Sequence, residues 1–420
     1  MPRARLSLLL PATLLLSVAP LAGQADWVPP DATLVERARA ILQQVPLIDG
    51  HNDLPSRLLG EFGGSMEGAG DVSGPQPGGH TDLARLRAGL VGAQFWSAYV
   101  TVDSMEQGAL RHGIREIDMV HRLTERYADF EIAYTADDIE RIHGDGRIAS
   151  LIGLEGGHAI ENSLSALRAL YRLGVRYITL THSRTHDWAD ASTDAPRHGG
   201  LSPFGVEVVR EMNRLGVFVD LSHVAPSTMH DALDVAAAPV LFSHSSARAV
   251  TDHPRNVPDD VLRRLPENGG VVMITFVPSF INEDVRVWSA RSAARADSLR
   301  AAGLDAATVR EAIAAWEAMN PQPRTTLADV ADHIDHVRRV AGIDHIGIGS
   351  DFDGISSVPV GLEDVATFPV LFAELLRRGY SEEDLRQIAG LNVLRAMRAM
   401  ETTAARLRQE RSPSTADVRR

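Results

Sequence analysis

The chain of 420 residues contains no cysteine. Disulfides, thiolate metal ligands and a cysteine nucleophile are therefore excluded. Lysine is absent as well, so all 42 basic residues are arginine. This removes a Schiff-base lysine, a phosphate-loop lysine and a carboxylated lysine bridging two metals. If two metals are bridged, Asp or Glu must do it. Positive charge is in deficit overall: the net charge of -13 argues against nucleic acid and against an anionic membrane surface as partner. Long apolar runs are missing too, with one exception. Leu6 to Leu21 is apolar, follows Arg3 and Arg5, and precedes small residues. The pattern predicts a secretory signal over residues 1–25, cleaved near Gly23 or Ala25, and hence an exported protein, periplasmic or secreted. The competing reading is an uncleaved anchor. No other segment is apolar enough to span a bilayer.

What is present is ample core material, 44% apolar residues, arranged in a repeating pattern. Apolar, β-branched runs predict strands near residues 46–51, 94–100, 149–155, 175–182, 217–223, 239–244, 270–276 and 345–351. Helical periodicity fills most of the intervals, as in 163–174, 205–216 and 327–342, and several of these stretches end in Gly. Strand and helix in eightfold alternation predict an α/β fold, a (β/α)8 TIM-type barrel, over residues 26–400. Residues 60–80 read as a long Gly- and Pro-rich loop. Residues 283–325 read as a helical insertion over one end of the barrel. Residues 401–420 are a polar tail, expected to be the end of a helix followed by disorder.

The stretch 47-LIDGHNDLP-55 closes a buried strand with His51, Asn52 and Asp53. Side chains alternate along a strand, so His51 and Asp53 share a face and could form half of a metal site. A turn with a capping Asp would read the same way. The other strands decide between the two. They end in Glu155, His182, His223, His244 and Asp351. In a barrel these ends meet at one rim, where such enzymes place their sites. Taken singly, each residue has an ordinary reading: a structural His, a helix-start carboxylate at Glu155, a turn residue at Asp351 for which Asp353 is an equal candidate. Together they predict a metal site. Imidazoles and carboxylates without thiolate suit zinc, with manganese or cobalt as alternatives. The donors exceed one tetrahedral ion, and a bridging Glu155 between two metals uses the surplus. The predicted chemistry is metal-assisted hydrolysis by a shared hydroxide. Asp351 would carry the proton, and His182 would stabilise an oxyanion. Arg255, in the loop after the sixth predicted strand, could hold a substrate carboxylate or be a surface residue.

The motifs DGHNDLP, SLIGLEGGHAI, LGVRYITLTHS, GLSPFGVEVVREMNRLGVFVDLSHV, APVLFSHSSARAV, RNVPDDVL and IGSDFDG resemble the membrane dipeptidase (renal dipeptidase) family of metallopeptidases from about Leu47 to Met400. The resemblance implies a barrel with two zinc ions per chain that cleaves dipeptides, and a homodimer. It implies that His51 and Asp53 ligate one zinc, His223 and His244 the other, and Glu155 both. His182 then polarises the substrate, Arg255 binds its C-terminal carboxylate, and Asp351 is the acid–base. It leaves open tolerance of C-terminal D-residues and cleavage of β-lactams. The chain departs from the family in lacking cysteine and an apolar C-terminal tail. Phe280 stands where the mammalian enzyme has a carboxylate-contacting Tyr, residues 183–190 keep only WAD, and the 283–325 insertion is longer. Three alternatives remain: an N-acyl-amino-acid or other amide hydrolase on the same metals, a noncatalytic binder on a barrel scaffold, and a phosphotriesterase-like barrel. The lack of lysine weighs against the last.

Overall fold

The computed structural model describes residues 27–418, so the predicted signal segment lies outside the described residues. Nine strands form one parallel sheet: β1 (Leu47–Asn52), β2 (Val91–Tyr99), β3 (Phe130–Ile132), β4 (Ile148–Glu155), β5 (Val175–Thr179), β6 (Phe218–Asp220), β7 (Leu241–Ser245), β8 (Val271–Ile274) and β9 (Ile346–Ile348). Pairing of β2 with both β1 and β4 closes eight of them into a barrel, with helices between the strands. All eight predicted strands are there. The ninth, β3, was not expected. It has three residues and pairs with Ile148–Ser150 of β4, just before β5 takes over from Ile152. It patches the entrance to β4 and is too short to leave a periodic signal.

Two apolar layers hold the barrel. Inside it, Phe95, Leu151, Tyr177, Phe218 and Met273 pack together with Met397 of the C-terminal helix Asn392–Glu410. That helix closes the end where the strands begin. Outside, the amphipathic helices bury their apolar faces against the strands. Only the rim where the strands end stays open. The 283–325 insertion is two helices, Glu283–Ala301 and Ala306–Met319, whose Trp288 and Trp316 rings lie 5.9 Å apart.

The tail differs from its expectation. Composition predicted disorder beyond the last helix, yet residues 411–418 lie along the helix Pro203–Leu215. Ser414 donates from its hydroxyl to Glu207 (3.0 Å), and its carbonyl accepts from Arg168 (3.1 Å). Polar composition here marks a hydrogen-bonded strap rather than a free end. Among the described residues no helix is long and apolar enough to cross a membrane.

Candidate metal centre

The predicted donors come from four strand ends and converge. His51 lies in β1 and Asp53 just beyond it. Glu155 is the last residue of β4, His223 follows β6, and His244 lies in β7. Glu155 is the hub. Its Oε1 lies 2.9 Å from His223 Nε2 and 3.4 Å from His244 Nε2, and its Oε2 lies 3.6 Å from His51 Nε2. His51 Nε2 is in turn 3.2 Å from Asp53 Oδ2, and His223 and His244 are 3.0 Å apart at Nε2. Ligands about 2.0–2.1 Å from a tetrahedral ion stand roughly 3.3 Å from one another, so the spacing is that of donors around ions. Oε1 of Glu155 faces His223 and His244 and Oε2 faces His51, the arrangement a bridging carboxylate uses, while His51, Glu155 and His244 also lie close enough together to hold one ion.

The surrounding hydrogen bonds fix the ligand atoms. Asp220 accepts from the Ser243 hydroxyl (2.7 Å), so Ser243 Oγ is left to accept from His244 Nδ1 (2.8 Å). The His244 proton then sits on Nδ1, and its Nε2 lone pair faces Glu155 Oε1. Two acceptors directed at each other in a buried site call for a cation between them. Burial pushes His223 and His244 well below the usual imidazole range, which keeps them neutral, as ligands must be. Burial also opposes charge on His51, but Asp53 and Glu155 outweigh it and lift the imidazole to about 10, so an ion bound there would have to displace that proton. His51 Nδ1 meets the Tyr177 hydroxyl at 2.9 Å. The donor set fits zinc in kind, number and spacing.

The ordinary readings of Asp53 and Asp351 can now be weighed. Asp53 precedes the helix Leu54–Phe62 but makes no cap bond; Asn52 does, accepting from Leu54 N at 2.9 Å. The Asp53 carboxylate is thereby left for His51. Asp351 Oδ1 lies 4.0 Å from His51 Nε2, whereas Asp353 turns away to accept from His80 N at 2.7 Å and pins the 60–80 loop. Asp351, Asp353 and His223 all have positive φ (66°, 63° and 71°), a backbone strain that aims their side chains. Burial, with Asp53 and Glu155 nearby, lifts the Asp351 carboxyl to about 8 against the pull of His51. Gly354 has to be glycine, because a Cβ would stand 2.3 Å from Asp53 Oδ2 and 2.7 Å from Asp351 Oδ1.

His182 and Arg255 complete a cavity of about 560 Å³ over these donors. His182 Nε2 is 3.9 Å from Glu155 Oε1, beyond the donor spacing above, and its ring lies against Tyr99 (4.9 Å) and His223 (4.3 Å). Arg255 is not a surface arginine. It is 3% exposed, its Nη2 donates to the His244 carbonyl (3.4 Å), and its guanidinium lies over the Phe280 ring at 5.3 Å. Its Nε and Nη1 have no protein partner. A buried cation with free donors facing a cavity is a receptor for an anion.

Residues 35–411 match the family described as Membrane dipeptidase (Peptidase family M19). The chain belongs to this family. It is 42% identical over 388 residues to Dipeptidase verJ of Clonostachys rogersoniana, covering 89% of each chain. It is 40% identical over 371 residues to human Dipeptidase 3, covering 87% of this chain and 67% of that protein. Among solved structures it resembles the probable dipeptidase PvdM from Pseudomonas aeruginosa, at TM-score 0.77 and 24% identity over 89% of this chain and 99% of that one; this likeness bears on the fold. It also resembles a metallo peptidase from Rhodobacter sphaeroides liganded with a phosphinate mimic of L-Ala-D-Ala, at TM-score 0.69 and 26% identity over 85% and 99%. Family membership makes the chain a hydrolase of the metallo-dipeptidase class.

Sequence reasoning missed the residues that hold the donors: Tyr177, Asp220 and Ser243, all buried in the barrel. Asp220 and Ser243 sit in β6 and β7, where a polar residue among apolar ones was the available signal. Tyr177 needs Gly153 opposite it, where a Cβ would lie 1.9 Å from the ring. That pairing is visible only in three dimensions.

Proposed function

We propose that the protein hydrolyses dipeptides, including those ending in a D-residue, at a two-zinc centre. His51 and Asp53 hold one ion, His223 and His244 the other, and Glu155 both. Ions bound there would supply Lewis-acid polarisation and lower the pKa of water into the neutral range. The residues of the chain do the rest. Arg255 receives the substrate C-terminal carboxylate in a charge-assisted pair, which sets the length of the substrate from its C-terminal end. His182, beside Glu155 and outside the donor spacing, donates to the carbonyl oxygen as negative charge builds on it. Asp351 takes a proton from the attacking water and passes it to the leaving amine, the role its position near His51 over the cavity supports.

One observation carries this reading: Glu155 turns one oxygen to His223 and His244 and the other to His51, with the free donors of Arg255 over the same cavity. The Rhodobacter relative, solved with a mimic of L-Ala-D-Ala, supports the D-residue. The N-terminal pattern supports export, and the family supports a homodimer, to be checked by N-terminal sequencing and by light scattering.

The test measures metal content and turnover on one sample, using L-Ala-D-Ala, L-Ala-L-Ala and N-acetyl-L-Ala-L-Ala, with and without chelator. Two zinc ions per chain and chelator-sensitive cleavage of the free dipeptides are expected. Cleavage of the acetylated compound alone would replace the substrate class with N-acyl amino acids. Asp351→Asn should keep the zinc and lose about 10²–10⁴-fold in kcat. Near-full activity in that variant would remove Asp351 from the mechanism.

A further inference from the structure

A second cavity, of about 340 Å³, lies between the inserted helix Glu283–Ala301 and the loop after β9. It adjoins the metal cavity, with which it shares Val277, Gly354 and Ile355 as walls. Its far wall is Trp288. That ring is held in place by its indole N–H, which donates to the Asn320 carbonyl at 2.7 Å, and by Trp316 at 5.9 Å. Serines 356 and 357 form the outer lip.

We infer that this cavity receives the side chain of the substrate's C-terminal residue, and that Trp288 gives the enzyme a preference for large apolar or aromatic side chains there. The inference rests on the dipeptidase reading above. The placement follows from two neighbours. Arg255, which receives the terminal carboxylate, stacks on Phe280, and Phe280 lies on the short helix Pro278–Ile281. The first turn of that helix is a wall of the second cavity. Asp351, which serves the leaving amine, stands three residues before Gly354 on the other wall. Carboxylate and amine both belong to the C-terminal residue, so its side chain is the part of the substrate that lies at the junction. Val277, Pro278, Val285, Trp288 and Ile355 share the lining with four serines and Gln322, so the apolar contact falls mainly to Trp288, whose rigid ring contributes area at low entropic cost. The inserted helices thus act on specificity while the metal centre carries the chemistry.

The experiment compares kcat/KM for L-Ala-L-Ala, L-Ala-L-Phe and L-Ala-D-Phe with that for L-Phe-L-Ala, in the wild-type enzyme and two variants. Trp288→Ala removes the far wall; Ser356→Trp fills the cavity from its exposed lip without touching the core. The wild-type enzyme should cleave the better C-terminal Phe substrate about 10-fold or more faster than L-Ala-L-Ala. Both variants should lower that ratio about 10-fold, through KM, and leave the ratio of L-Phe-L-Ala to L-Ala-L-Ala unchanged. Equal ratios in the wild-type enzyme and both variants, or a preference that follows the N-terminal residue, would overturn the inference with the dipeptidase reading intact. Failure to cleave any free dipeptide would overturn the dipeptidase reading and the inference with it.

Discussion

Ser243 shows how far a single hydroxyl reaches into this centre. It donates to Asp220 and accepts from His244, so one side chain sets the tautomer of a proposed ligand. Outer partners of this kind alter metal affinity more than fold. Ser243→Ala should therefore weaken zinc binding about 10–100-fold, read by competition with a chromophoric chelator, while the stoichiometry at saturating zinc stays the same. An unchanged affinity would mean that the His244 ring is fixed by packing alone. The same logic explains what a reader of the sequence could see at this scale. His51, Asp53, Glu155, His223 and His244 stood out because chemistry-bearing residues rarely close a buried strand. Ser243 and Asp220 also sit among apolar residues, yet serine and aspartate have too many ordinary uses for their position to be informative alone.

At the scale of elements, strand ends were legible and connections less so. The parallel strands read as apolar runs because both faces are buried. β2, which carries no catalytic-type residue, is the longest of the described strands, at nine residues. Three-residue β3 and the docked tail were hidden, because hydrogen-bonding partners far along the chain make them, not local periodicity. His333 is another such connection. On the helix Leu327–Val340, it accepts from Ala247 N (3.0 Å) through Nδ1 and donates through Nε2 to the Ile281 carbonyl (3.2 Å). It ties that helix to the start of the loop carrying Arg255 and to the helix carrying Phe280. Burial pushes its pKa from 6.5 down to about 4. As pH falls, the unfolded chain takes up the proton first, so stability is present above pH 6.5 and is lost on the way down to 4. Between pH 7 and pH 5 this one group removes about 2 kcal/mol. His333→Gln should lower stability at pH 7 and flatten the pH dependence by that amount, measured by denaturant midpoints at both values. A slope equal to that of the wild-type protein would place the acid sensitivity elsewhere, for instance in His158, His186 or His253, which burial also lowers to about 4.

For the molecule as a whole, the proposed metal centre would also act as a cross-link. Its proposed ligands run from residue 51 to residue 244 and come from β1, β4, β7 and the end of β6, so ions held there would tie together distant quarters of the barrel. A ligand that binds only the folded chain stabilises it by mass action, about 4 kcal/mol at 1,000 times its dissociation constant. Two such ions contribute about 8 kcal/mol, which, spread over the unfolding entropy of a chain this long, is about 10 °C in Tm. The fold itself should survive removal. The barrel core is complete without the ions, and the proton that Asp53 and Glu155 hold on His51 supplies part of the positive charge among these carboxylates. Chelation followed by desalting should therefore give a folded protein, with far-ultraviolet circular dichroism unchanged and Tm lower by about 10 °C, and zinc should restore Tm and activity together. If metal-free protein melted at the same temperature as the loaded form, the donors would be held in register by the barrel alone, and the ions would serve the reaction without bracing the fold. If it unfolded outright, the barrel would depend on the ions for closure, and the eight paired strands would be insufficient by themselves.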